Sequence, residues 1–358
     1  MKTTIIITSI LTVIILSVII FINQPSFGRL PRGERKARIE QSPNYMNGAF
    51  RNRESTIMTT EKSRLRLMTD FVLGRKNDSI RPDKPFHVIK NDLKKLDKNE
   101  NIMVWFGHSS YLLQINGIAL LVDPVFYKGS PVSFINKAFE GTDVFKPDDM
   151  PHIDYLIITH DHWDHLDYKT VKKLHDKTDK VICPLGVGEH FERWGYDKNI
   201  LMELDWYDFI ALTDNTKIHC MPARHFSGRG LKSNQTLWAS YVIQSSEGCI
   251  FLNGDSGYGK HYAEIGNMFP DIDLAILENG QYNENWKYIH TMPQYLTNEI
   301  NDLGTKNIIT VHHSKFALST HPWYEPLDNA RRLSENSNAN VIMPAIGEII
   351  KLDNILNH

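Results

Sequence analysis

The residues best equipped for chemistry stand in one string, Thr159-His160-Asp161-His162-Trp163-Asp164-His165-Leu166-Asp167. Three imidazoles and three carboxylates within eight residues are costly to hold together unless a cation organises them. The string follows the apolar run Tyr155-Leu156-Ile157-Ile158 and precedes a helical pattern, which places it in a loop at the end of a strand. There His160 and His162, two apart, project together, and the turn into the helix brings Asp164 and His165 round to a neighbouring point. Imidazole with carboxylate ligation suits zinc, with iron or manganese as alternatives; the competing reading is a set of solvated loop polars.

Further candidates follow other apolar runs. His225 comes after IHCMPAR, Asp255 after CIFLNG and His312 after NIITV. Each alone reads as an ordinary surface residue. Beside the HxHxDH string they become ligands delivered from several strand ends to one edge of a sheet, where a rigid scaffold presents functional loops. His108 in GHSS and Asp123 in VDP are placed either to orient ligand imidazoles by hydrogen bonds or simply to form turns. His290 and His321 are candidates for binding substrate oxygens or for giving a proton to a leaving alkoxide, against a reading as solvated loop histidines. Tyr282 is assigned with them to substrate binding, and His321 to catalysis with Asp164 and Asp255. The glycines of GDSGYG are not followed by Lys-Ser/Thr, so they are no P-loop; they let the backbone pass close to the metal ligands. Trp163, Trp238, Trp286 and Trp323 are acyl-groove candidates or, more ordinarily, core.

These residues need a scaffold of strands. From Asn101 onward, short runs rich in Val, Ile, Leu and aromatics recur: IMVWF, YLLQI, IALLV, YLIIT, KVICP, IHCMP, WASYVI, CIFLN, LAILE, NIITV and VIMPAI. Most are bounded by Gly, Asp, Asn or Pro. Helical patterns lie between them at 168–178, 186–194, 260–268, 292–303 and 326–336. The expected architecture over 101–358 is one α/β domain with two sheets between helical layers. Residues 25–100 read as a basic linker and an arm, with a moderately helical stretch from Thr60 to Leu73 and a loop at Arg81–Pro85. Cys183, Cys220 and Cys249 each sit in apolar sequence, as buried thiols do.

Across 358 residues, 40 Lys plus Arg oppose 42 Asp plus Glu, a balance that carries no nucleic-acid signature. The average conceals a local extreme. Ile5–Ile22 contains no charge, Gly or Pro, and as a helix would be roughly 27 Å long, about the thickness of bilayer hydrocarbon. No small-x-small cleavage site follows it, so residues 1–24 are read as an uncleaved anchor, with a signal peptide or a core helix as the alternatives. Arg29, Arg32, Arg35, Lys36 and Arg38 oppose one Glu34 just after it, and this collar favours a cell-membrane protein, single-pass, with its catalytic part cytoplasmic. The collar is a stop signal, or it also touches anionic lipid heads. Residues 1–38 hold six basic and one acidic residue, leaving −7 for the rest of the chain.

The HxHxDH string with a later His, Asp and His resembles the ligand pattern of the metallo-β-lactamase-fold hydrolases. Within them the chain is similar to the branch of N-acylphosphatidylethanolamine-hydrolysing phospholipase D. The resemblance runs from about residue 39 to about residue 350 and is carried by several stretches. These are Ser42-Pro43-Asn44-Tyr45 with Gly48 and Phe50, WFGHSSYLLQ with VDPVF, ITHDHWDHLD, PARHFSGRGL with TLWASYVI, NGDSGY with EIGNMFPDIDLAIL, and HHSKFALSTHPWYEP. It implies a four-layer αββα sandwich and two divalent metal ions, one held by His160, His162 and His225, the other by Asp164, His165 and His312, with Asp255 bridging. The chain departs from that branch at His312-His313-Ser314-Lys315-Phe316, where one His before a Trp-Gly-Thr-Phe-like run is usual, which leaves His313 as an alternative ligand. It departs again at Glu278-Asn279-Gly280-Gln281-Tyr282, where a Pro-Ile-Gly-Ala-Tyr-like run is usual.

Two divalent cations less two carboxylates leave a positive site that prefers an anionic, phosphate-like substrate. The leading expectation is a membrane-anchored phosphodiesterase of the phospholipase D type, with a phospholipid substrate. A lactone, thioester or other ester hydrolase on the same fold is the alternative, and a tethered binding protein with a structural metal is the second.

Overall fold

The structure, a computed structural model, describes residues 2–59, 78–132 and 136–356; the helix expected at Thr60–Leu73 lies outside them. Helix α1 (Lys2–Ile22) stands apart from the remaining chain, with Ile5 to Ile20 largely exposed. Its stretch Thr4–Ile22 is long and apolar enough to cross a membrane. Helix α2 (Gly33–Gln41) follows, and then a hairpin pairs β1 (Tyr45–Met46) with β2 (Ala49–Phe50). Ile39 and Phe50 are fully buried in the main core, so this part of the arm is packed onto the domain.

The first sheet begins with an antiparallel meander of β3 (Ile102–Trp105), β4 (Tyr111–Ile115) and β5 (Ile118–Val122). It continues in parallel through β6 (Ile153–Ile157), β7 (Thr178–Pro184) and β8 (Leu201–Leu204). The second sheet repeats the plan. Strands β9 (Phe209–Thr213), β10 (Thr216–Met221), β11 (Ser240–Ser245) and β12 (Gly248–Leu252) are antiparallel, and β13 (Leu274–Glu278), β14 (Asn307–Val311) and β15 (Asn340–Ile342) extend it in parallel. Strand β16 (Ile349–Lys351) returns to the open edge of β3, giving seven strands in each sheet.

Side-chain alternation shows how the layers stack. In β13, Leu274 and Ile276 join the main core shared with the first sheet, while Ala275 and Leu277 join a second core. Strand β12 does the same, with Ile250 and Leu252 inward and Cys249 and Phe251 outward. A period of two that buries both faces is the mark of a central layer. The outer core is closed by α5 (His261–Met268), α6 (Leu296–Leu303) and α7 (Glu325–Asn336) through Tyr262, Ile265, Ile300, Leu303, Ala330 and Leu333. Helices α3 (Tyr168–Leu174) and α4 (Gly188–Arg193) pack on the first sheet through Val171, Leu174 and Phe191. The result is the four-layer αββα sandwich. All three cysteines are free and buried within it.

The basic collar is not a free patch. Arg35 pairs with Glu203 at 2.6 Å and with Glu189 and Glu192, and Arg29 pairs with the same two glutamates of α4. Arg32 lies 3.4 Å from Glu189. Three guanidinium groups thus meet three carboxylates and fasten the chain below α1 to the first sheet.

Candidate metal centre

Every expected ligand lies beyond the C-terminal end of a strand: His160 to His165 after β6, His225 after β10, Asp255 after β12 and His312 after β14. His108 and Asp123 follow β3 and β5 in the same way. Several of these loops hold left-handed backbone, with φ of 54° at His108, 40° at Asp123 and 68° at His312. Non-glycine residues take that conformation only where surrounding structure compels it, and it concentrates at functional sites. Gly254 (φ 64°) supplies what Asp255 needs, because a Cβ there would lie 2.9 Å from that of Thr159.

The loops bring seven expected residues together. His162 Nδ1 lies 2.9 Å from His160 Nε2 and 3.1 Å from His225 Nε2, so three ring nitrogens point at one another. Asp255 lies in the middle of the cluster: its carboxylate is 3.1 Å from His165 Nε2 and His312 Nδ1, 3.7 Å from His225, and 3.9 Å from His160 and His290. Asp164 Oδ2 is 3.6 Å from His165 Nε2 and 2.9 Å from His108 Nε2. His165 Nε2, His312 Nε2 and Asp255 Oδ1 are buried without a hydrogen-bond partner. Burial together with the neighbouring imidazoles holds His160, His225 and His312 well below the usual histidine range. Burial acts the same way on His165, but Asp255, Asp164 and Asp123 outweigh it and raise that ring well above the range. Neutral imidazoles at His160, His225 and His312, buried carboxylates and orphaned polar atoms are the chemistry of a cation site, and the residues fit a divalent metal.

Supporting contacts fix these rings. Asp123 accepts from His165 Nδ1 at 2.7 Å, from the Thr159 hydroxyl at 2.6 Å and from its backbone N–H at 2.8 Å. His225 Nδ1 donates to the Ile289 carbonyl at 2.7 Å, and Ser109 Oγ meets His312 Nδ1 at 2.9 Å. A carboxylate or carbonyl on the far nitrogen selects the tautomer that leaves the other lone pair free. His313 turns the opposite way, between Thr310 and Ser314 and against Trp105. The unusual Lys315 serves the scaffold, since its buried ammonium donates to the carbonyls of Phe106 and Val125 and ties together the loops that carry His108 and Asp123. Burial lowers it to about 7.

His321 and Tyr282 are not brought to the cluster. His321 Nδ1 donates to the Pro322 carbonyl and Nε2 accepts from the Gln281 N–H, so both nitrogens are engaged by backbone. The Tyr282 hydroxyl donates to Glu325 and accepts from Asn329, and its ring stacks on His321. In this arrangement neither offers a group to a ligand, contrary to the expectation from sequence; a loop position does not reveal which backbone will occupy a ring. His290 does face the cluster, its Nδ1 held 2.9 Å from Glu278. Glu278 is the participant that sequence reasoning missed. It is fully buried, burial raises it well above the usual carboxylate range, and it accepts from the N–H groups of Ser256 and Thr291 as well as from His290. A charged residue closing an apolar strand was the available signal. Of the tryptophans, Trp238 is core and Trp323 packs on Phe86, whereas Trp163 in the ligand loop packs on Phe27.

Residues 119–313 match the model of the beta-lactamase superfamily domain. The chain is also 35% identical to an uncharacterised Mycobacterium tuberculosis protein over 315 residues, 86% of this chain and 84% of that one. The chain belongs to the beta-lactamase superfamily. It is 28% identical to N-acyl-phosphatidylethanolamine-hydrolyzing phospholipase D 1 of Caenorhabditis elegans over 245 residues, 64% of this chain and 69% of the relative. Among solved structures, an isothiocyanate hydrolase from Delia radicum gut bacteria superposes with a TM-score of 0.56 at 17% identity, covering 70% of this chain and 98% of that one. This superfamily member is a metal-dependent hydrolase.

Proposed function

We propose that the protein is a membrane-anchored phosphodiesterase with a dinuclear metal centre, acting on phospholipids of the N-acylphosphatidylethanolamine type. The observation that carries the reading is Asp255, one buried carboxylate within 3.9 Å of five imidazoles. A single closed tetrahedral site needs four ligands; six donors around a central carboxylate suit two cations. His160, His162 and His225 would hold one, Asp164, His165 and His312 the other, and Asp255 both. When bound, a pair of divalent cations, zinc by the donor set, supplies Lewis acidity and lowers the pKa of water. Asp123 and His108 keep His165 and Asp164 in place. His290 is tethered by Glu278 through Nδ1, and its Nε2, engaged by no hydrogen bond among the described residues, can take up a proton and then pass it to the leaving alkoxide. The anchor α1 supports a lipid substrate, because a tethered domain meets lipid at high local concentration.

The test is metal analysis together with turnover on a panel of N-acylphosphatidylethanolamine, a chromogenic phosphodiester and lactones. Close to two metals per chain and selective diester cleavage are expected. A metal-free preparation with full activity, or a preference for lactones, sinks the proposal.

A further inference from the structure

Beside the lower end of α1 lies a hollow of about 410 Å³, lined by Ile22, Phe27 and Leu231 on its apolar side and by Arg193, Arg229 and Lys232 on its basic side. Arg229 forms a built wall. It is 4% exposed, donates to the carbonyls of Ser26, Asp161 and Leu166, and spreads over Trp163 of the ligand loop, 4.2 Å from the ring centre. Among the described residues no carboxylate reaches ion-pair distance of Arg229, Arg193 or Lys232. Asp161, which also lines the hollow, is hydrogen-bonded by His190 at 3.0 Å and by the Gly228 N–H. Against Arg193, Arg229 and Lys232 this one carboxylate leaves the lining of the hollow net positive. Its depth in a bilayer is set by α1: the rim residue Ile22 closes the apolar span, which is where a helix passes from hydrocarbon to headgroups. A chain of edge-on rings, Phe21 to Phe27 to Trp163, with centroids 5.2 and 4.9 Å apart, holds the helix end against the ligand loop. Leu231, 85% exposed between Gly230 and Lys232, stands at the same rim.

We propose that this hollow binds the headgroup of an anionic phospholipid from the bilayer that α1 enters. The proposal rests on the reading of α1 as an anchor. Arg193 and Lys232 take the phosphate, Arg229 adds positive potential from behind, and Ile22, Phe27 and Leu231 face the first methylenes of the acyl chains. None of the expected metal ligands lines this site, which holds lipid without cleaving it.

The test is thermal unfolding of the full chain in a neutral detergent, with dihexanoyl phosphatidylglycerol, dihexanoyl phosphatidylcholine or inorganic phosphate at equal concentration. At roughly ten times Kd, binding to the folded state alone should raise Tm by about 2 °C with phosphatidylglycerol, and by much less with the other two. The double substitution Arg193→Glu with Lys232→Glu should abolish the shift while leaving the lipid-free Tm and the metal content unchanged, since both side chains are exposed and have no ion-pair partner among the described residues. No shift with phosphatidylglycerol, an equal shift with inorganic phosphate or phosphatidylcholine, or a shift that survives the double substitution would overturn the proposal. Flotation of wild type and double variant with phosphatidylcholine vesicles at high salt separates the two readings: both should float, and failure of both to float refutes the anchor.

Discussion

Two polar clusters among the described residues are of opposite character, one partly exposed at the collar and one buried at the strand ends. At the collar, Arg29, Arg32 and Arg35 face Glu189, Glu192 and Glu203, and each charge finds its opposite. At the strand ends, ring nitrogens face ring nitrogens, and four buried atoms of the expected ligands, on His162, His165, Asp255 and His312, have no hydrogen-bond partner among the described residues. The first cluster is complete as a protein and serves as a fastening. The second has the donor set of a cation site, and its assembly costs stability while no cation is bound. Burial of polar groups alone therefore does not mark a functional site; what marks it is the unanswered part.

The contrast can be broken by substitution. The largest effect is expected for Asp255→Ala, with metal content falling below one per chain and kcat/KM on a diester falling at least about 10²- to 10³-fold, read by mass spectrometry and steady-state kinetics. Next comes Arg35→Met, which leaves Glu189 and Glu203 short of a partner. A loss of about 2–4 kcal/mol is expected by denaturant titration, with metal content unchanged; if metal were lost as well, the two clusters would be one unit. Glu278→Gln should lower kcat about 10- to 100-fold with little change in KM, because it loosens His290 without removing a ligand. At the small end, Arg331→Ala breaks only an exposed pair with Asp328 and should change stability by less than about 0.5 kcal/mol.

All eleven apolar runs read from the sequence contribute to strands, because central strands buried on both faces write near-continuous Val, Ile and Leu into the chain. The strands of the two large sheets that escaped notice were β8, β9 and β16, each at a sheet edge and only partly buried. An edge needs less apolar surface and leaves a weaker pattern. The HxHxDH loop was legible because its ligands are neighbours in sequence. His225, Asp255 and His312 were legible as residues following strands. Ser109 was not, since its contact exists only after the sheets come together, and Glu278 left only the weak signal of a charge closing an apolar strand; His321 and Tyr282 are chemically suited residues whose polar atoms are engaged by backbone and by Glu325 and Asn329.

The repeated plan of the two sheets has one more consequence. His160, His162, Asp164 and His165 belong to the half ending at β8, whereas His225, Asp255 and His312 belong to the half beginning at β9. Neither half holds all seven of the proposed ligands. On the proposed reading, severing the chain in the four-residue connection at 205–208 is expected to yield two fragments, each inert by itself, whose reunion around metal restores turnover, so that the metal would act as a clasp between the halves.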